Sequence, residues 1–351
     1  MTLSIRDLRE SCAELFATDL APMLRRLGER APGDGTLDPD DAAIRASVWD
    51  TLADLGALRP GPLAETTEVA ELIGGALYQS PWAGTHFAAD LLPDHAGVGG
   101  TAAVAVRDNA RAEPGEPGPL RCRPDGTLDG TRSLVAFAAD VDRLVVVSAD
   151  GDRLVAAVID PRGPSVRLRR HDDIARGDLY EVTLTGAPIA GEPLDVTRAY
   201  PAALARARVR QAAYLAGSVR GAIEVAVAHL RERAAFGQPL ARMQALAYRF
   251  AALTARNAAV LSFARASARR ADDGVDVRLS AAQVLLLASR LARETAAEVV
   301  HAHGAYGMTE ACDAQLFYRR AAVDTAWLGT PTALRREAGH LLATAVRDRS
   351  E

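Results

Sequence analysis

The chain has 351 residues, of which 49% are hydrophobic and 25% are charged, and its formal net charge is −4. This is ordinary globular composition for two or three packed modules. It excludes a disordered chain, a collagen-like repeat and the basic balance of a nucleic-acid-binding protein. All 41 basic residues are arginine, so chemistry that needs a lysine, such as a Schiff base or a P-loop, is excluded.

The three cysteines, Cys12, Cys122 and Cys312, lie far apart in the sequence. Their spacing fits neither a disulfide framework nor a metal site, and it predicts a reducing, cytoplasmic setting. The N-terminus is charged and amphipathic, unlike a signal peptide, and no uncharged apolar run reaches the about 18 residues that would predict a membrane span.

Helical periodicity dominates the first part of the chain. Leu8, Leu15, Leu20 and Leu24 fall near one stripe, which is typical of an amphipathic helix. A break rich in Pro, Gly and Asp follows at residues 30–41, and a second helix is expected from Asp40 or Asp41 to Gly56. Further helices are expected within residues 68–79 and 80–92.

The pattern then changes to short β-branched runs between turn signals. Strands are expected at residues 101–107, 143–149, 153–160, 165–170 and 179–185, with tight turns at Asp125–Gly126, Asp129–Gly130 and Asp150–Gly151. Since no long helix fits between these runs, we predict an antiparallel barrel or sandwich.

Long helical segments return at residues 200–233, 241–273, 278–301 and 310–345, and their short connections indicate an antiparallel bundle. The predicted fold is therefore α+β and mainly α. It has an N-terminal helical domain (1–98), a middle antiparallel β domain (99–196) and a C-terminal four-helix bundle (197–351).

Three strings, at residues 130–146, 230–251 and 301–330, occur together in an order that resembles the acyl-CoA dehydrogenase flavoprotein family. The resemblance implies an FAD cofactor at a subunit interface and a dimer or tetramer. It also implies an acyl-CoA or acyl-carrier-protein substrate. Each string alone is weak evidence for the family, and the resemblance depends on the three strings occurring together.

The string at residues 230–251 matches the family's R-x-x-F-G-x motif, which contacts the pyrophosphate and adenosine side of FAD. The resemblance assigns this role to Arg233, Phe236, Gly237 and Gln238, and it adds Gln244 in the following helix. A guanidinium binds phosphate oxygens in a forked geometry, and glycine lets backbone approach a ligand. Taken alone, the same string would indicate only the end of a helix.

The string at residues 301–330 resembles the family's Q-x-H-G-G-x-G loop, which reaches the FAD of the neighbouring subunit. The implied cofactor-binding residues are His301, Gly304, Ala305, Gly307 and Thr330. His301 replaces the usual Gln, and Ala305 replaces the second Gly. The histidines at 301 and 303 lack a third ligand, so no metal site is expected.

The string at residues 130–146 stands where the family has G-x-K-x-W-I-T-N beside the isoalloxazine ring. Leu134 and Ala136 occupy the places of the aromatic and the hydroxyl residue. Ala136 cannot donate a hydrogen bond, so FAD is supported better on its nucleotide side than on its redox-active side, and it could be absent.

α,β-Dehydrogenation needs a general base within reach of the substrate Cα proton. The two positions where the family places its glutamate hold Leu328 and Ala207, so the catalytic base is unknown. Arg208, next to Ala207, could steer the CoA part of a thioester by its charge, or it could be an exposed or inter-helix arginine. The acids of the bundle are better explained as solvated charges, i,i+4 partners or caps: Glu224, Glu232, Glu294, Glu298, Glu310, Asp313 and Asp324.

Three functions remain open at this point. The first is an FAD-dependent acyl-thioester oxidoreductase, with its base on another residue or on a sister dehydrogenase subunit. The second is a repurposed enzyme of specialised metabolism that catalyses a monooxygenation or a non-redox cyclisation or elimination. The third is a non-catalytic partner subunit.

Overall fold

A computed structural model describes residues 4–17, 20–27, 38–93, 100–109 and 111–347. Within these ranges the chain is mainly helical and carries a smaller β region between two helical parts, which confirms the predicted fold class. Most of the predicted break at 30–41 lies outside the described residues. The helices are α1 (Ile5–Leu15), α2 (Ala21–Leu27), α3 (Pro39–Asp54), α4 (Leu63–Gly75), α5 (Trp82–Leu91), α6 (Ala199–Glu232), α7 (Gln244–Asp272), α8 (Arg278–His303), α9 (Ala314–Asp324) and α10 (Pro331–Arg347).

Local capping explains where the first helices begin. The Ser4 hydroxyl accepts a hydrogen bond from the Asp7 backbone N–H, and the Asp7 carboxylate accepts one from the Ser4 N–H, which forms a capping box for α1. The Asp38 side chain caps α3 by accepting from the Asp40 N–H, with Pro39 in the first turn. α3, which is the second helix predicted from the sequence, therefore begins at Pro39, one or two residues before the expected start at Asp40 or Asp41.

The β region consists of two four-stranded sheets, with strand orders β1-β4-β5-β8 and β2-β3-β7-β6. Its strands are β1 (Ala102–Ala105), β2 (Arg121–Cys122), β3 (Leu128–Ala136), β4 (Arg143–Asp150), β5 (Arg153–Ile159), β6 (Val166–Arg170), β7 (Leu179–Ala187) and β8 (Leu194–Asp195). All pairings between these strands are antiparallel except the parallel pair of β1 with β4. The faces between the two sheets bury their own apolar cluster.

One predicted turn is wrong. Asp129–Gly130 lies inside β3 rather than between two strands, and the pairing register with β7 shifts between Leu128 and Gly130. Gly130 has a φ of +141°, so its backbone freedom serves a bulge within the strand rather than a hairpin.

In the C-terminal part α6, α7 and α8 match the predicted long helices, but the fourth predicted segment is two helices. α9 ends at Asp324, and α10 begins at Pro331. Gly329, with a φ of +153°, and the following proline explain the break, because neither residue continues a helix easily. The break places residues 325–330 at the junction of the three parts of the chain.

α4 lies directly against α6 because both helices carry glycine at their crossing point. A Cβ atom on Gly217 would lie 1.8 Å from the Glu71 carbonyl oxygen, and one on Gly74 would lie 1.9 Å from the Tyr214 carbonyl oxygen. This close contact fixes the N-terminal helices against the bundle. Among the described helices, none combines the length and hydropathy needed to cross a bilayer.

Candidate functional site

A cavity of about 340 Å³ lies where the N-terminal helices, the β sheets and the bundle meet. Its walls are mostly apolar, which is typical of a small-molecule site. The aromatic and aliphatic part of the wall includes Ile73, Trp82, Phe87, Val104, Val106, Leu134, Ala136, Phe137, Trp327 and Leu328. Polar side chains gather at one end of the cavity.

The β-sheet wall of the cavity is an irregular part of β3. The register with β7 shifts between Arg132 and Val135, so a bulge carries Ser133 and Leu134. Leu134 and Phe137 have φ values of +55° and +58°, which non-glycine residues adopt only at a cost. Strained backbone of this kind is concentrated at functional sites.

Leu134 and Ala136, the residues expected beside the flavin ring, lie together in this wall. They offer an apolar surface on which a flat ring can pack. Ser133 also lines the cavity and is the hydroxyl-bearing residue of this bulge. Ser133 was not selected from the sequence, because the motif directs attention to the position of Ala136.

The segment after α9 also lines the cavity. Leu328 is only 5% exposed, and its side chain has no carboxylate that could act as a base. Its carbonyl oxygen accepts a hydrogen bond from Arg208 Nε at 3.0 Å, and Arg208 Nη1 lies 2.7 Å from Glu337. Arg208 and Ala207 are both buried but are not part of the cavity wall. Arg208 therefore supports the backbone that carries Leu328.

The polar end of the cavity is a connected hydrogen-bond network. Gln79 Nε2 donates to the Tyr214 hydroxyl at 3.1 Å, and this hydroxyl donates to Asp324 Oδ2 at 3.0 Å. Arg320 makes two hydrogen bonds to the Asp324 carboxylate. Burial raises the pKa of Asp324, while the Arg320 charge opposes this shift. Burial likewise raises the pKa of Tyr214, so the phenol remains protonated near neutral pH.

The sequence favours a solvated charge or a helix cap for Asp324, but the structure buries this side chain in the cavity wall. It is an i,i+4 partner of Arg320, as the spacing allows, but it is 8% exposed and lines the cavity. Tyr214 and Gln79 were missed as well. The only sequence signal for this end of the site is the Arg320–Asp324 spacing on one helix.

The residues expected at the FAD nucleotide side lie on the surface, outside the cavity. Two short strands, β9 (Ala234–Ala235) and β10 (Gln238–Pro239), form a hairpin directly after α6. Phe236 and Gly237 are its turn residues, with φ values of +54° and +79°, and Phe236 is 95% exposed. The string therefore forms a tight hairpin as well as ending the helix.

The glycine-containing string at 301–308 follows the end of α8. Gly304 has a φ of +62°, while Gly307 is packed so tightly that a Cβ atom would lie 2.6 Å from the Val300 carbonyl oxygen. His303 stacks on His229 of α6 with ring centroids 4.2 Å apart. Because His229 lies one helical turn before Arg233, the string assigned to the FAD pyrophosphate and the loop assigned to the FAD of the neighbouring subunit are adjacent in this chain.

The remaining expected cofactor residues are dispersed. His301, Ala305 and Gln244 are exposed. The Thr330 hydroxyl accepts a hydrogen bond from the Ala333 N–H at 3.2 Å and donates one to Glu113 at 2.9 Å. Thr330 thereby caps α10 and joins it to a loop of the β region.

These residues can be tested against the chemistry of FAD. Arg233 is exposed, and among the described residues no carboxylate lies within ion-pair distance of it, so its guanidinium is available to a phosphate. The apolar cavity wall suits an aromatic ring, although Ala136 supplies no hydrogen bond to it. The residues therefore fit FAD, better at the nucleotide side than at the ring. Across the described ranges, no cluster of three or more metal-ligating side chains occurs.

The family model "Acyl-CoA dehydrogenase, C-terminal domain" matches residues 197–339. A probable short/branched chain specific acyl-CoA dehydrogenase from Dictyostelium discoideum is 26% identical over 223 residues, which are 59% of this chain and 54% of that protein. The chain spans about half the length of the curated relatives it matches.

Two solved structures share the fold over nearly the whole chain. A variant of the steroid ACAD Tcur3481-Tcur3483 aligns with a TM-score of 0.82 at 22% identity over 98% of both chains. A chain of the ChsE4-ChsE5 complex from Mycobacterium tuberculosis aligns with a TM-score of 0.75 at 19% identity over 93% of this chain and 98% of that one. Residues 197–339 therefore match the C-terminal domain of acyl-CoA dehydrogenases, and the chain as a whole shares the fold of the solved structures.

Proposed function

We propose that this protein is an FAD-binding oxidoreductase that acts on an acyl thioester. The observation that carries the proposal is a single cavity lined by Leu134, Ala136 and Leu328. These are the positions that the family resemblance assigns to the flavin ring and to the catalytic base. They come from separate parts of the chain, so their meeting supports a shared site.

In this proposal, two regions of the chain bind the two ends of FAD. Arg233 and the Phe236–Gly237 turn hold the pyrophosphate side of the cofactor, and the bulge at Leu134 packs against its ring. When bound, FAD supplies a hydride acceptor. Trp82 and Phe87 provide apolar surface for an acyl chain and exclude water from the cavity.

The proposal includes an oligomer, either of this chain alone or with a sister dehydrogenase subunit. Around the Arg233 string and the loop at residues 301–307, which the resemblance assigns to the FAD of the neighbouring subunit, large apolar side chains are exposed. Phe236, Tyr306 and Met308 are 95%, 51% and 73% exposed, respectively. Apolar side chains grouped in this way are typical of a surface covered by another chain.

A non-redox reaction in the same cavity is the second candidate. The observation that favours it is the absence of a hydroxyl at Ala136, which leaves the ring position without one of the hydrogen bonds expected there. A cyclisation or elimination on a bound thioester needs the cavity and a proton acceptor but no hydride acceptor. A protein that cannot be loaded with FAD would favour this second function.

The test is reconstitution with FAD. The purified protein, incubated with FAD and freed of excess cofactor, is expected to show the absorption bands of oxidised flavin. Arg233→Ala should weaken FAD binding by about tenfold to a hundredfold, because a hydrogen bond to a charged group contributes about 1.5–3 kcal/mol. The matched control is Arg231→Ala, which removes an exposed arginine two residues earlier on α6. A colourless protein, or equal effects of the two substitutions, would contradict the proposal.

A further inference from the structure

Two buried glutamines line the cavity. Gln79 and Gln211 are 8% and 6% exposed, respectively, and both belong to the cavity wall. Gln79 lies between α4 and α5, whereas Gln211 lies on α6, so the two side chains come from different parts of the chain. A carboxamide has two N–H donors and one oxygen acceptor, and the partners that the protein supplies decide which of these groups remain for a ligand.

The nitrogen atoms of both carboxamides are bound by the protein. Gln79 Nε2 donates to the Leu77 carbonyl oxygen and to the Tyr214 hydroxyl, each at 3.1 Å. Gln211 Nε2 donates to the Asp324 carbonyl oxygen at 2.9 Å. Because a backbone carbonyl oxygen can only accept a hydrogen bond, these contacts fix which end of each carboxamide is the nitrogen.

The oxygen atoms of the two carboxamides have no donor. Among the described residues, none donates a hydrogen bond to Oε1 of Gln79 or of Gln211. Neither oxygen is among the side-chain atoms that the described protein encloses completely without a partner, so a partner can reach them through the cavity. A buried polar group without a hydrogen bond costs about 1–3 kcal/mol, and a ligand that donates to these oxygens would remove that cost.

Both glutamines belong to the polar end of the cavity. Gln211 and Tyr214 are three residues apart on α6, so they lie on the same face of the helix. Both contact Asp324, Gln211 at the carbonyl oxygen and Tyr214 at the carboxylate. Since Gln79 contacts Tyr214 in turn, the two free amide oxygens lie at the same end.

The carboxylates of this end already have partners in the protein. Arg320 makes two hydrogen bonds to Asp324, and Arg45 Nη2 lies 3.4 Å from Asp178. Asp173 accepts hydrogen bonds from two backbone N–H groups of its own loop, at 2.7 and 3.3 Å. The groups left for a ligand are therefore neutral acceptors, which suit a neutral donor such as a hydroxyl group.

A substrate with a carboxylate on its acyl chain is the rival class, and the cavity does not favour it. The arginines of the wall are Arg107, Arg210 and Arg320. Arg210 donates to the Asp90 carboxylate at 2.6 Å, Arg107 donates to a backbone carbonyl oxygen at 2.7 Å, and Arg320 is bound to Asp324. A second carboxylate at the polar end would meet like charge and two acceptor oxygens.

We propose that the acyl group of the substrate carries a hydroxyl group away from the thioester, and that Gln79 or Gln211 accepts its hydrogen bond. The second amide oxygen is left for another hydroxyl group or a water molecule. This inference rests on the proposed function, because it assumes that an acyl thioester occupies the cavity. It narrows the substrate to the hydroxylated acyl thioesters.

Matched pairs of thioesters test this selectivity without any turnover. Equilibrium dialysis of the FAD-treated protein measures Kd for butanoyl-CoA, hexanoyl-CoA and octanoyl-CoA, and for the counterpart of each with a hydroxyl group on the terminal carbon. At one chain length or more, the hydroxylated thioester should bind about twofold to tenfold more tightly, as expected for a hydrogen bond of about 0.5–1.5 kcal/mol. In a purely apolar pocket it would bind more weakly, because its hydroxyl group would be buried without a partner. The counterparts with a terminal carboxylate should also bind more weakly than the hydroxylated ones.

Methionine variants assign the preference to the glutamines. Gln79→Met and Gln211→Met each remove one acceptor with little change in side-chain size, and the hydroxyl preference should disappear in at least one of them. The matched control is Gln315→Met, since Gln315 is also 8% exposed but does not line the cavity, and this variant should keep the preference. Because the preference is a ratio of two Kd values in one protein, a general loosening of the fold affects both values and cancels.

Failure of this inference can be told apart from failure of the proposed function. If the wild-type protein binds the unsubstituted thioesters at least as tightly as every hydroxylated one, the inference is overturned and the proposed function stands. Tightest binding of a carboxylated thioester, or a preference that survives in both glutamine variants, would overturn it as well. Absence of binding to all of these thioesters would overturn the proposed function, and the inference with it.

Discussion

His86 is a buried histidine that stays neutral. Its ring packs against Trp82, with centroids 4.4 Å apart, and its Nε2 lies 3.2 Å from the Ala57 carbonyl oxygen. Burial lowers the pKa of His86 from 6.5 to about 3, and the nearby Arg210 charge adds to this shift. The side chain therefore acts as an aromatic element of the N-terminal helices rather than as an acid or base.

This burial predicts an acid-sensitive fold. Below about pH 6.5 the unfolded chain binds a proton at His86 that the folded chain excludes, so the free energy of unfolding falls as pH decreases from 6.5 towards 3. The expected slope from this residue is about 1.4 kcal/mol per pH unit. Urea unfolding of the wild type and of His86→Gln across this range measures it, and equal pH dependence in both proteins would be the contrary result.

Only some of the cavity residues can be selected from the sequence. Leu134, Ala136 and Leu328 could be selected because each stands in a recognisable string. Asp324 and Tyr214 are 110 positions apart, and Gln79 and Tyr214 are 135 apart. Such pairs meet only through the packing of whole helices and sheets, and no local periodicity predicts them. The roles of the selected residues remain predictions.

The crossing of α4 and α6 depends on glycine. Gly217→Ala would place a Cβ atom 1.8 Å from the Glu71 backbone oxygen, and a backbone atom cannot move aside as a side chain does. We expect the substitution to lower the free energy of unfolding by about 3 kcal/mol, at the upper end of the usual cost of overpacking. Thermal and urea unfolding measure this effect.

Gly339→Ala is the matched control for this prediction. Gly339 also lies within a helix, α10, but no atom lies within 4 Å of its hypothetical Cβ. Alanine should stabilise this helix by up to about 1 kcal/mol through its higher helix propensity. Equal destabilisation by the two substitutions would mean that helix packing is not the cause.

Local signals predicted most helices and strands but not their interruptions. The β-branched runs correspond to β1 and to β4 through β7, and the long apolar periodicities correspond to α6, α7 and α8. The predicted helix at residues 310–345 ran across Gly329 and Pro331, which divide it into α9 and α10. Asp129–Gly130 was misassigned because the same dipeptide serves a hairpin turn or a bulge, and the pairing partner decides between them.

The cavity is a property of the whole molecule. β3 contributes Leu134, the end of α9 contributes Asp324, and the segment after α4 contributes Gln79. Each part alone would leave these side chains facing solvent, so the site exists only when the three parts are packed together. The limits of the three domains remain a prediction, but the site does not depend on where those limits are drawn.

If this cavity brings a flavin and an acyl thioester together, the thioester reduces the flavin, and an anaerobic titration measures this reduction. The FAD-loaded protein is mixed with butanoyl-CoA, isobutanoyl-CoA or octanoyl-CoA, and the absorption of oxidised flavin is followed without any external electron acceptor. We predict that the flavin absorption is lost in the wild type on addition of at least one of these thioesters. Unchanged flavin absorption in a wild-type protein that binds both FAD and the thioester would contradict the account.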